Sequence, residues 1–289
     1  MENLEERITM IRNDREHGSR WLVHETISLL YDIATRPNSS PEEILRQLEH
    51  AGRELALARP AMAALAGSVR RILNASGGLE GMALEAAKLL TEYDSAIECI
   101  TGYARPLLNG TVMTHSLSGT VLAVLNACLT HIERVIVLEG RPRYEGREVA
   151  LALSKGGAQI TLITDAQADI FLPQCDAVVV GADSILANGD ILNKAGTALL
   201  AWAARGHTIP FYVLCETLKI SPQSWSGNLA QLEEKEATEV LDKDIPGVSV
   251  RNFYFDRTPS RLVTSVITEQ GILGRREIKQ VVSHMKPRG

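Results

Sequence analysis

Residues Val178–Thr197, VVVGADSILANGDILNKAGT, open with an apolar, β-branched run and then set Asp183, Asp190, Asn193 and Lys194 close together, punctuated by Gly181, Gly189 and Gly196. Such a run, cut off by turn-forming residues, predicts a buried strand with polar groups gathered at its end. Asn193 and Lys194 are expected to open the helix that continues through NKAGTALLAWAARG. The same alternation recurs on both sides. RVIVLE, QITLIT, DAVVVGA and PFYVLCE are short runs rich in Val and Ile, and the stretch from Ser118, GREVALALSKGG and NKAGTALLAWAARG lie between or beside them. Strands alternating with helices predict right-handed βαβ units and an α/β, doubly wound parallel sheet. In such sheets ligands bind beyond the carboxyl ends of the strands, which is where each polar cluster of this region falls.

Upstream the period changes. Ile8, Ile11, Trp21, Leu22, Leu29 and Leu30 recur at three-to-four spacing, and SSPEEILRQLEHAGRELALA begins with a serine cap, a proline and acidic residues suited to a helix N-terminus. PAMAALAGSVRRIL and GLEGMALEAAKLLTEYDSAIECI continue the pattern across a break at Gly77-Gly78. The expected organisation is a helical domain over residues 1–106 and a sheet domain over residues 107–289. The polar segment SPQSWSGNLAQLEEKEATEVLDKDIPG is expected to be a surface excursion, followed by a strand-like VSVRNFYFD.

The 289 residues allow one large domain or two ordinary ones. Hydrophobic residues at 45% and charged residues at 22% suit a water-soluble globular chain. A formal net charge of -5 provides no overall basic field for nucleic acid or an anionic membrane. Aromatic residues, at 4%, are too sparse for a base-stacking platform. Cys99, Cys128, Cys175 and Cys215 are widely spaced and lie in apolar contexts, so all four are expected to be buried free thiols. The charged N-terminus has no apolar h-region, and no run approaches 18 apolar residues, so the expected location is the cytoplasm.

Local chemistry marks several candidate positions. In NGTVMTHSLSGTV, an extended start leads through Thr114, His115 and Ser116 to Ser118, Gly119 and Thr120. Free backbone N–H groups at that helix start would cradle a phosphate, although ordinary N-capping by Ser116 or Ser118 would explain the same pattern. In LEGRPRYEGREVA, Arg141 and Arg143 flank Pro142 and would grip a phosphate as a fork, or pair with Glu145 or Glu148 in a solvated loop. Asp183, just past a strand end, suits a general acid or base if burial raises its pKa, or else caps a turn. Glu216 and Lys219 follow another strand. In DREHGSRW a charged helix face would account for Arg15, His17 and Arg20 without any ligand. Neither GxGxxG nor GxxxxGK[ST] occurs, which disfavours a dinucleotide or P-loop site. No metal is expected, because Asp183, Asp190, His17 and His115 lack ligand spacing, and no cofactor is implied.

In order, HGSR, ARPAM, THSLSGT, LEGRPRYEG, GADSILANGDILNKAGT, ETLK and FDRTPSRLVTSVITEQG resemble one superfamily. It unites the alpha, beta and delta subunits of translation initiation factor 2B with the methylthioribose-1-phosphate and ribose-1,5-bisphosphate isomerases. The resemblance implies a helical N-terminal domain and a Rossmann-like C-terminal domain. It implies Asp183 as a catalytic aspartate and His17, Gly18, Ser19, Arg20 and Arg59 as substrate contacts. Ser118, Gly119 and Thr120 match a phosphate-binding turn, and Asn193, Lys194 and Lys219 further contacts. Ser116 falls where the isomerases carry a catalytic cysteine, and the initiation-factor subunits also lack that thiol. An unassisted serine hydroxyl is too weakly acidic to exchange a proton at neutral pH. The resemblance thus implies an aldose–ketose isomerase of a ribose-1-phosphate-type substrate with Ser116 in the place of the thiol, or a non-catalytic regulatory protein. It also implies a phosphorylated sugar or nucleoside monophosphate as ligand, and a homo-oligomer joined through the Rossmann-like half.

Overall fold

The computed structural model describes residues 4–14 and 16–285; Arg15 lies outside the described residues. The helices of the N-terminal half are α1 (Leu4–Asn13), α2 (Ser19–Ala34), α3 (Pro41–Ala58), α4 (Ala63–Leu73) and α5 (Gly78–Ala104). The local signals act as expected. The Ser40 hydroxyl accepts from the Glu43 N–H at 3.2 Å, Pro41 occupies the first turn, and Gly77 takes a left-handed φ of 96° between α4 and α5. Ile8, Ile11, Leu22, Ile27, Leu30, Leu48, Leu65 and Leu89 fill a core between these helices. Their three-to-four spacing turns one apolar stripe of each helix inward.

The second half alternates as expected through β1 (Gly110–His115), α6 (Gly119–Cys128), β2 (Ile132–Leu138), α7 (Glu145–Ser154), β3 (Gln159–Ile163), the short α8 (Ala168–Phe171) and β4 (Ala177–Val180). It continues through β5 (Ser184–Ile185), β6 (Ile191–Lys194), α9 (Thr197–Gly206), β7 (Phe211–Leu214), β8 (Phe255–Thr258), β9 (Ser265–Thr268), β10 (Gly271–Leu273) and α10 (Arg275–Met285). Seven strands form one sheet in the order β10-β9-β7-β4-β1-β2-β3. Neighbours run parallel except β10 against β9. Its two faces carry separate cores. Met113, Val178, Val180, Leu200 and Val213 lie on one, and Val112, Val124, Val135, Val179 and Leu214 on the other. Because Val178 and Val180 face one core and Val179 the other, β4 has to be apolar throughout. The strand order reverses between β1 and β4, making their carboxyl ends a topological switch point.

Three expectations need correction. Asn193 and Lys194 do not open a helix: they end β6, the centre of a three-stranded antiparallel sheet ordered β5-β6-β8, and α9 starts only at Thr197. Pairing with a strand some 60 residues away cannot be read from local periodicity. The run VSVRNFYFD is ordered as strand only from Phe255, which pairs with Lys194. Cys128, Cys175 and Cys215 are buried free thiols, but Cys99 is exposed on α5.

Gly196 precedes α9 with φ 107°, and a Cβ there would sit 2.9 Å from His115 Nε2. Both the dihedral and the space require glycine. Gly196→Ala is expected to cost about 1–3 kcal/mol, read as a lowered midpoint in denaturant unfolding.

Candidate functional site

The helical half covers the carboxyl ends of the large sheet, and a cavity of about 350 Å³ lies between them. That volume falls within the range of small-ligand sites. Its walls come from several elements. The α1–α2 connection supplies Asp14, His17 and Gly18; the start of α2, Ser19; the α3–α4 connection, Arg59 and Met62; the end of β1, Ser116; the start of α7, Glu145; and the ends of β4 and β6, Asp183 and Lys194. The excursion between residues 221 and 254 closes the remaining side with Glu233, Lys235 and Tyr254. Glu234 bridges to Phe253 across its neck.

Asp183 and Ser116 stand at the ends of β4 and β1, the two strands that flank the switch point. Burial pushes the Asp183 carboxyl up to about 6, Lys219 and Lys194 pull it down, and Glu233 and Glu145 push it further up. The group is therefore poised to hold or release a proton near neutral pH. Its backbone is fixed from both sides, its N–H donating to Leu192 O at 2.9 Å and its carbonyl accepting from Ala63 N–H at 3.1 Å.

Ser116 has φ 68°, a left-handed conformation unusual for a residue other than glycine. It aims Oγ at α7, where the hydroxyl donates to Glu145 Oε2 at 2.9 Å. The buried Lys194 ammonium donates to Glu145 Oε1, also at 2.9 Å, and lies 4.2 Å from the centre of the Tyr254 ring. Glu145 thus joins Ser116 to Lys194. In sequence Glu145 stands only beside the arginine loop, and the parallel pairing of β1 with β2 brings the carboxyl ends of the two strands to one edge of the sheet. His115 takes no part in this bridge. Its Nε2 donates to Ala195 O at 2.9 Å, and burial holds its pKa below the ordinary histidine value.

On the opposite wall the His17 ring stacks on Trp21 with centroids 4.0 Å apart, and Nδ1 lies 2.8 Å from Asp14 Oδ2. Arg59 donates to the Asp14 carbonyl, a neutral acceptor, so this bond does not cancel its charge.

The remaining candidates lie elsewhere. Arg143 lines the cavity, whereas Arg141 folds onto its own loop, donating to Tyr144 Oη at 2.8 Å. Asn193 is buried and donates to Thr197 Oγ1 at 3.0 Å. Asp190 is buried away from the cavity, bonded to Arg257 and to the Ser260 N–H. Arg20, Ser118, Gly119, Thr120 and Lys219 gather behind the cavity where the two halves meet. Ser118 caps α6, its Oγ accepting from Val121 N–H at 3.4 Å. Thr120 Oγ1 and Arg20 Nη1 donate to one oxygen of Glu216 at 2.8 and 3.0 Å. Gly119 packs within 4 Å of the Arg20 side chain. Lys219 donates to Ser19 Oγ at 3.2 Å and lies 3.8 Å from Glu216. The hydroxyl and cations of this group therefore serve a carboxylate of the protein itself.

Comparison with known proteins agrees with this architecture. The model of the initiation factor 2 subunit family matches residues 15–275. A ribose 1,5-bisphosphate isomerase of Archaeoglobus fulgidus is 32% identical over 284 residues, covering 94% of this chain and 90% of that protein. A methylthioribose-1-phosphate isomerase of Pelotomaculum thermopropionicum is 36% identical over 264 residues, covering 81% of this chain and 72% of that one. Among solved structures, the translation initiation factor eIF-2B of Pyrococcus horikoshii superposes with a TM-score of 0.82 at 29% identity, covering 94% of this chain and 97% of that one. A helical half packed over the switch point of a doubly wound sheet, matched along nearly the whole length, places this chain in the initiation factor 2 subunit family.

Proposed function

We propose that the cavity binds a phosphorylated pentose and that the protein isomerises it from a furanose 1-phosphate to a 2-ketose 1-phosphate by proton transfers. The observation that carries this reading is Asp183, whose carboxyl is raised to about 6 in the wall of a cavity that also presents Arg59, Arg143 and Lys194. A phosphate on the anomeric oxygen blocks simple opening to an aldehyde, so the ring oxygen must be protonated as the C1–O4 bond breaks. Protonated Asp183 supplies that proton. Loss of hydrogen from C2 and its delivery to C1 then produce the ketose, while the C2 hydroxyl proton returns to the Asp183 carboxylate. Arg59 and Arg143 hold the phosphate throughout.

The test is incubation of purified protein with ribose 1,5-bisphosphate or methylthioribose 1-phosphate, followed by detection of the ketose. Absence of ketose with both substrates would overturn catalysis. Ligand at a hundred times its Kd is expected to stabilise the protein by about 2.7 kcal/mol, read as a raised thermal midpoint.

A second reading, a regulatory protein that binds a sugar phosphate or nucleoside monophosphate without turnover, is favoured by the hydroxyl at position 116, where no thiol can ionise. It predicts the same rise in midpoint with no product.

A further inference from the structure

The reaction proposed above needs two proton-transfer groups, and Asp183 is only one. The other must face the same cavity and exchange a proton near neutral pH without forming a free serine alkoxide. Ser116 lines the cavity at the end of β1, and its hydroxyl proton is already committed to Glu145 Oε2 at 2.9 Å. Glu145 is itself at the cavity wall, with its second oxygen held at 2.9 Å by the Lys194 ammonium. Lys194 is anchored in turn by β6 and stacked over Tyr254, so the carboxylate has a fixed direction. Ser116, with φ 68°, and Tyr144, the residue before Glu145, with φ 59°, both hold left-handed conformations. One partner of the hydrogen bond and the residue next to the other thus hold a conformation that the fold maintains against local preference.

We propose that Ser116 and Glu145 act as one proton-transfer unit, the serine hydroxyl relaying and the glutamate carboxylate receiving the proton. Serine thereby does the work for which the isomerases that this chain resembles carry a thiol. As the C2–H bond breaks, its electron pair forms C1=C2, the proton passes to Ser116 Oγ, and the proton of Ser116 passes to Glu145 Oε2. No alkoxide accumulates, because the hydroxyl gains one proton as it loses another. Glu145, now a carboxylic acid, returns a proton through Ser116 to C1. The hydrogen that leaves C2 and the one that reaches C1 balance, and no oxidant or reductant is involved. Lys194 acts here as a positioning residue, orienting the carboxylate through its other oxygen.

This inference rests on the isomerase reading, and a four-protein comparison separates the two. Wild type, Ser116→Ala, Glu145→Gln and the double variant are assayed with ribose 1,5-bisphosphate and methylthioribose 1-phosphate. Each single variant is expected to lose about 100-fold or more in kcat, with KM changed by no more than about threefold. The double variant is expected to lose no more than the larger single loss, because two members of one relay are not additive. Ser116→Ala leaves the Glu145–Lys194 pair intact, so it decides the matter even where Glu145→Gln fails to fold. Active wild type together with an active Ser116→Ala variant, or with additive losses in the double variant, would overturn the relay and leave the isomerase reading in place. Inactive wild type overturns both.

Discussion

Asp183→Asn is expected to abolish measurable ketose formation, with kcat lowered by roughly 10²–10⁴-fold. The amide keeps the shape and can still donate a hydrogen bond, but it can neither give a proton to the ring oxygen nor recover one from the C2 hydroxyl. Ligand-induced thermal stabilisation should persist, because the phosphate is held by Arg59 and Arg143 on other walls. The pH dependence follows from the raised carboxyl. Asp183 carries its proton below about 6 and loses it above in the ligand-free protein, so kcat/KM should fall on the alkaline side with a midpoint near that value. The sign for stability is the same: a carboxyl raised in the folded state favours folding at low pH and opposes it as pH rises through about 6. At pH 8 the Asn variant should therefore melt at or above the wild-type temperature. A variant that loses activity and also unfolds would instead show Asp183 acting as structural support. Retained turnover with a normal midpoint would remove it from the mechanism.

Glu216→Gln is expected to lower stability by about 3–5 kcal/mol, a drop in thermal midpoint of roughly 10 °C for a chain of this size. Glu216 is 2% exposed, and its carboxylate is approached by Arg20 from α2, Thr120 from α6 and the Lys219 ammonium. Burial raises its pKa, but Lys219, the Thr120 hydroxyl and Arg20 together outweigh burial and hold it below the ordinary glutamate value. A carboxyl depressed in this way contributes its stability fully above the unfolded value of about 4.3, and the contribution is lost as pH falls through the lower folded value. The amide cannot balance the buried Lys219 ammonium and the half-buried Arg20 guanidinium that remain. Because Arg20 and Ser19 belong to the helical half and Glu216 and Lys219 to the sheet half, the variant should also loosen the junction between them. Limited proteolysis between residues 104 and 110 would report that loosening. An unchanged midpoint would mean that water reaches this site and screens it.

Much of the site was legible in sequence because its parts sit at strand ends. Asp183 follows Val178–Val180, Ser116 follows the strand ending at His115, and Glu216 follows Phe211–Leu214. A parallel sheet brings all such ends to one edge. What period and spacing could not show was which polar groups would meet. Lys194 looked like the start of a helix because Gly196 and Thr197 follow it, yet β8 captures it in a second sheet. The cap of α9 comes from Asp256, which accepts from the Gly196 and Ala198 N–H groups at 2.7 and 3.0 Å. That partner is 60 residues away in sequence, beyond any local capping pattern. The turn Ser118–Thr120 lies at the junction because α6 is packed against α2 and α5, and there the Thr120 hydroxyl donates to Glu216.

From the sequence alone came the elements and the chemistry they display. Apolar periodicity separated a helical half from a doubly wound sheet, since a 3.6-residue stripe and a continuous β-branched run bury themselves in different ways. Residue type at the strand ends supplied an aspartate, cations and a serine. Tertiary structure alone decided the pairings: Glu145 with Ser116 and Lys194, Glu216 with Arg20 and Thr120, Asp256 with the start of α9. The reason is range. Hydrogen bonds and ion pairs act over a few ångströms, and only the folded sheet brings residues separated by 29 to 196 positions within that distance.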